Sequence, residues 1–108
     1  MFSVTLQHYV YVDGSTEEWR YTFDVNVIAM CICTREAVKI MRENVIAGHI
    51  IHMGSIVGRY PIMMPIPNLN VYPASKYAVT ALTENLRQEL NFHKTGIKVT
   101  VCISVYVT

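Results

Sequence analysis

Tyr72 and Lys76, in Tyr72-Pro73-Ala74-Ser75-Lys76, stand four positions apart in a segment with helical periodicity, so the phenol and the ammonium share one face. Such a pair can move a proton. A phenol titrates near pKa ~10 in water, and acid–base work near neutrality requires help of roughly 3 to 4 kcal/mol. A neighbouring ammonium has the right sign to supply it. Taken alone, a tyrosine and a lysine at this spacing are more often two surface residues of a helix. Ser55, in Gly54-Ser55-Ile56-Val57-Gly58, and Asn26, in Asp24-Val25-Asn26-Val27, add a hydroxyl and an amide. Each has an ordinary reading too, Ser55 as a turn residue beside glycine and Asn26 as a helix residue bonding its own backbone. Together, a hydroxyl that steadies a developing alkoxide and an acid–base group are what interconversion of an alcohol and a carbonyl needs. The glycine-flanked serine is not a G-x-S-x-G nucleophile elbow, so hydrolase chemistry gains no support.

Helices and strands have to bring these groups together. Ser15-Thr16-Glu17-Glu18 forms a capping box, whose serine oxygen and glutamate carboxylate satisfy free amides at a helix start. The pattern predicts helical structure from Thr16 to Arg42, with a bend near Phe23. Val27, Ile28, Ile32 and Met41 form its apolar stripe, and Arg35, Glu36, Lys39, Arg42 and Glu43 its wetter side. His49-Ile50-Ile51-His52-Met53 reads as a short buried strand leading into the Gly54-Ser55 turn, and sites in α/β sheets form at the carboxyl ends of strands. A second long helix runs from Tyr72 or Pro73 to Phe92, with Val79, Leu82, Leu86 and Leu90 on one face and Gly96 as its stop. Ile97, Val99, Val101 and Ile103 alternate with Lys98, Thr100 and Cys102 in a strand half or fully buried. Because each crossover contains a helix, the strands pair in parallel and the class is α/β. Residues 4–12 also alternate as a strand would, and Arg59 to Val71, with Pro61, Pro65 and Pro67, reads as an irregular loop.

Composition narrows the function classes. At 108 residues the chain is one domain at most, and its 52% hydrophobic and 16% charged content is oily for that length, as if elements were built to be covered by a partner. A net charge of +1 with dispersed Lys and Arg gives no electrostatic case for nucleic acid. Apolar runs are broken well short of a transmembrane span, and the first residues read poorly as a signal peptide, so a cytoplasmic location is expected. Cys31, Cys33 and Cys102 lack metal or redox spacing and are expected to be free buried thiols. His49 and His52 fall on opposite faces of a strand, so no metal site is expected.

With the residues in view, the chain resembles the short-chain dehydrogenase/reductase family, in a branch that includes insect farnesol dehydrogenase-like proteins and vertebrate relatives. The resemblance runs from about Asp13 to Ile103 through D-G-S-T-E-E-W, D-V-N-V, C-T-R-E-A, H-I-I-H-M-G-S-I-V-G, Y-P-A-S-K-Y-A-V-T-A-L-T-E-N-L-R-Q-E-L and I-K-V-T. It implies a partial Rossmann-like, doubly wound parallel sheet, with residues 1–12 unassigned and 13–108 the catalytic part. It implies NADP or NAD as cofactor, an alcohol or carbonyl substrate such as an isoprenoid alcohol, and a homo-oligomer formed through the two long helices. It assigns Ser55 to the substrate oxygen, Tyr72 to the proton, Lys76 to Tyr72 and the nicotinamide ribose, and Asn26 to a water between Lys76 and solvent.

Departures from the family pattern qualify that expectation. The T-G-x-x-x-G-I-G turn, whose amides hold the dinucleotide pyrophosphate, and the N-N-A-G segment have no counterpart among the scattered Gly14, Gly48, Gly54, Gly58 and Gly96. Ser104-Val105-Tyr106-Val107-Thr108 stands where relatives carry S-P-G beside the nicotinamide. The chain therefore reads as a fragment of an oxidoreductase, expected to be inactive on its own, and the competing reading is an inactive remnant or a helix-mediated interaction module.

Overall fold

The computed structural model describes residues 14–58 and 71–104, with Ser104 described at its backbone alone. The strand expected over residues 4–12, the loop over residues 59–70 and the last four residues lie outside the described residues.

The first helix starts where its capping residue directs. Ser15 Oγ accepts from the Glu18 N–H at 3.4 Å, and Glu17 and Glu18 place negative charge at the positive end of the helix dipole. Helix α1 (Thr16–Phe23) then passes into a π-helical turn over Asp24–Ile28 and continues as α2 (Ala29–Glu43). The Ala29 N–H reaches the Asp24 carbonyl, five residues back, so the expected bend near Phe23 is a local widening that inserts one residue into the helix. Helix α2 ends at Asn44, whose side-chain amide donates to the Ile40 carbonyl at 2.8 Å.

Strand β1 (His49–Ser55) follows, closed by a 3-10 turn at Ile56–Gly58; helix α3 (Tyr72–Phe92) and strand β2 (Lys98–Ser104) complete the order. Pro73 sits in the first turn of α3, where its missing N–H removes no helical bond. Gly96 has φ 72°, a left-handed conformation that turns the chain from the end of α3 into β2. The strands pair in parallel from His49↔Lys98 to Ser55↔Ser104, as a helical crossover between them requires.

Packing is concentrated on one face of this sheet. Leu90, Ile97 and Val99 form the buried cluster, with Val38, Met41, Ile50 and Leu86 against it. The opposite face is open among the described residues: Ile51 is 59% and Met53 58% exposed, and their partners Thr100 and Cys102 are exposed beside them. β1 is therefore half-buried rather than the buried strand expected, because its residues alternate between a helix-covered and an uncovered side. The apolar stripe of the first long helix divides similarly, with Val27 buried and Ile28 and Ile32 exposed. The thiols also differ from expectation: Cys31 is half-buried while Cys33 and Cys102 lie exposed, on surfaces that nothing described covers.

Candidate active site

Ser55 is the last residue of β1 and is buried, with its Oγ accepting from the Val57 N–H at 3.4 Å in the turn that follows. Two residues earlier the strand presents its Met53 carbonyl, which accepts from Lys76 Nζ at 3.2 Å. That bond draws the lysine toward the carboxyl end of β1. Tyr72 opens α3, and Lys76 Nζ lies 5.6 Å from the centre of its ring, near enough for a cation–π attraction. Partial burial disfavours the ammonium and pushes the Lys76 pKa below the ordinary lysine value.

Asn26 enters from the π-helical turn. Its Nδ2 donates to Ser75 Oγ at 3.1 Å, and Ser75 in turn donates to the Tyr72 carbonyl at 2.7 Å. On the other side of α3, Thr80 Oγ1 lies 3.1 Å from the Gly58 carbonyl and 3.3 Å from the Lys76 carbonyl, with its one proton directed at that pair. Gly58 packs so closely that a Cβ there would fall 2.6 Å from the Lys76 carbonyl oxygen.

The structure thus brings Tyr72 and Lys76 together and links Asn26 to the same helical turn through Ser75. Among the described residues, no hydrogen bond joins the Tyr72 hydroxyl to Ser55, or Asn26 to Lys76. Ser75, Thr80 and Gly58 escape sequence reasoning because each looks like an ordinary helix or turn residue. The one available signal is that Ser75 lies between Tyr72 and Lys76, in the turn both must share.

The histidines separate as their spacing requires. His49 is exposed, its Nε2 2.7 Å from Thr100 Oγ1, while His52 points into the packed side, 5% exposed. His52 Nε2 lies 2.9 Å from Thr34 Oγ1 and Nδ1 2.7 Å from Thr83 Oγ1. Because Thr83 gives its proton to the Val79 carbonyl at 2.7 Å, it accepts from Nδ1–H, leaving Nε2 to accept from Thr34. Burial lowers the His52 pKa, which favours that neutral form. No cluster of His, Cys, Asp or Glu among the described residues could hold a metal ion.

Comparison with known proteins gives this geometry its family. The sequence profile described as short chain dehydrogenase matches residues 7–108. Dehydrogenase/reductase SDR family member 11 from Gallus gallus is 52% identical over 94 residues, covering 86% of this chain and 36% of that protein. Farnesol dehydrogenase from Aedes aegypti is 42% identical over 81 residues, covering 75% of this chain and 32% of that protein. The chain thus spans about a third of the length of these curated relatives. Among solved structures, a short chain dehydrogenase/reductase from Burkholderia phymatum in complex with NAD superposes with TM-score 0.76 and 29% identity, covering 87% of this chain and 32% of that one. A 4-hydroxyisoleucine dehydrogenase complexed with NADH and succinate gives TM-score 0.72 and 31% identity, covering 84% of this chain and 40% of that one. With its parallel strand pair, its crossover helix opening on Tyr72 and a profile match along almost its whole length, the chain belongs to the short-chain dehydrogenase family.

Proposed function

We propose that residues 13–108 form the catalytic part of an NADP- or NAD-dependent oxidoreductase that interconverts an alcohol and a carbonyl, with an isoprenoid alcohol such as farnesol as substrate. The observation that carries this reading is the Tyr72–Lys76 pair held at the carboxyl end of the strand that ends in Ser55. The similarity to a mosquito farnesol dehydrogenase supports the substrate class.

In the oxidative direction Ser55 donates a hydrogen bond to the substrate oxygen, and Tyr72 takes the hydroxyl proton as hydride leaves the carbon. A nicotinamide, when bound, would supply the acceptor for that hydride. Lys76 has three N–H donors, of which the Met53 carbonyl takes one, so the others can hold a ribose hydroxyl while the positive charge stays beside Tyr72. Lys76 therefore fits the ribose side of that cofactor. Asn26 anchors the turn that carries both groups. A cytoplasmic setting accords with the observation that no helix among the described residues is long and apolar enough to cross a membrane.

A chimera tests the assignment. Residues 13–104, exchanged for the matching segment of the Aedes aegypti farnesol dehydrogenase, are expected to support farnesol oxidation. Tyr72→Phe should then lower kcat by ~10²- to 10⁴-fold, the usual contribution of a positioned acid–base group. Equal turnover in the Tyr72→Phe chimera would remove Tyr72 from the chemistry.

A second reading, association through the long helices, is favoured by a groove of about 280 Å³ between α2 and α3. Leu82, Leu86 and Val38 line it and Arg35 and Glu89 contribute charge, a surface suited to helices of a second copy.

A further inference from the structure

We infer that Ser75 is a positioning residue for the Tyr72–Lys76 pair, carrying the placement of the π-helical turn to the first turn of α3, and that Asn26 acts on the pair through it. The importance of this link rests on the oxidoreductase reading above; the link itself rests on geometry. Ser75 is 0% exposed, so its hydroxyl has no water to fall back on. It carries one proton, which goes to the Tyr72 carbonyl at 2.7 Å. Its lone pairs are thereby left for the Asn26 amide at 3.1 Å, and both bonds form at once.

The first of these bonds is ordinary, since a helical serine commonly bonds a carbonyl one turn back. The second is not local, because Asn26 lies 49 residues earlier in the chain. Its direction depends on the π-helical turn. One residue turns an α-helix by about 100°, so a side chain aimed by that turn would point elsewhere if the helix ran on regularly. The inserted residue, marked by the Ala29 N–H on the Asp24 carbonyl, therefore helps determine where α3 begins.

Lys76 follows Ser75 directly and reaches back to the Met53 carbonyl. Its first turn is thus held from two sides: Ser75 and Asn26 on one, Gly58 and Thr80 on the other. Removing the Ser75 hydroxyl would leave a donor of Asn26 unpaired and free the Tyr72 end of the turn. The Tyr72–Lys76 geometry would loosen while the rest of α3, anchored by Val79, Thr83 and Leu90, stayed packed.

Reductive methylation of lysines in the full chain, read by mass spectrometry across a pH series, tests the link without cofactor or turnover. Lys39 and Lys98, both exposed, serve as internal references. Ser75→Ala is expected to raise the Lys76 rate several-fold against these references, the scale of one part-buried intramolecular hydrogen bond. Asn26→Leu should do the same, and the double variant no more than either alone. Thr83→Ala provides the control for general destabilisation, because it breaks a buried bond farther along α3 and should leave the relative Lys76 rate and its pH profile in place. Should Ser75→Ala fail to fold, Asn26→Leu decides alone, since Asn26 is only half-buried. An unchanged Lys76 profile in Asn26→Leu, additive effects in the double variant, or an equal change in Thr83→Ala would overturn the proposal. Failure of the oxidoreductase reading would appear instead in the chimera, as turnover indifferent to Tyr72→Phe.

Discussion

His52 carries a pH dependence that its surroundings make explicit. Thr34 on α2 and Thr83 on α3 occupy its ring nitrogens, and Arg35, Glu89 and His93 line the groove it faces. Burial depresses its pKa in the folded chain below the ordinary histidine value of 6.5. Above that value His52 is neutral in both states and contributes no pH dependence. As pH falls below it, the unfolded chain takes up a proton that the folded chain resists, so stability is lost until the folded pKa is passed. Urea denaturation at a series of pH values should show the midpoint falling below about pH 6.5. His52→Asn, which keeps a polar group but cannot titrate, should flatten that limb. An identical acid limb in this variant would assign the effect to other groups.

At the scale of elements, the contact between the 3-10 turn and α3 decides how the strand end meets the pair on the helix. Gly58 makes that contact possible by lacking a side chain. In Gly58→Ala the methyl would lie 2.6 Å from backbone oxygen rather than from the end of a flexible side chain, so the turn or the helix must move. The expected cost is about 1–3 kcal/mol of stability, the range for overpacking a tight site. Denaturant unfolding measures it, and the farnesol chimera should lose turnover as the strand end shifts relative to the Tyr72–Lys76 pair. A Gly58→Ala chain as stable and as active as the parent would show that the turn accommodates the methyl elsewhere.

For the whole molecule, the apolar surface exposed among the described residues is the dominant physical fact. Ile28, Ile32 and Ile40 are exposed on the first long helix and its π-helical turn, and Ile51 and Met53 on the open side of the sheet. Surface of this extent favours association, so sedimentation of the purified 108-residue chain should show oligomers or aggregate. A soluble monomer with cooperative unfolding would count against that. The same chain should bind NAD(H) or NADP(H) weakly or not at all, because its sequence holds no glycine-rich turn whose amides could take the pyrophosphate. Calorimetric titration checks this, and micromolar binding would point to a phosphate site of another design.

What could be read from sequence is what local periodicity and capping control. The Ser15 cap, the helix from Tyr72 to Phe92 and the alternation in β2 were legible because each is decided within a few turns or residues of chain. Residue types and spacing singled out Tyr72 and Lys76, and the family resemblance added Ser55 and Asn26 as candidates. The buried face of β1 was not legible, since an apolar run cannot report which side a helix will cover. Nor was the Asn26–Ser75 bond, which joins groups 49 residues apart through a π-helical turn with no clear sequence mark. Tertiary structure alone decided these, because they depend on which surfaces meet and not on what each segment prefers by itself.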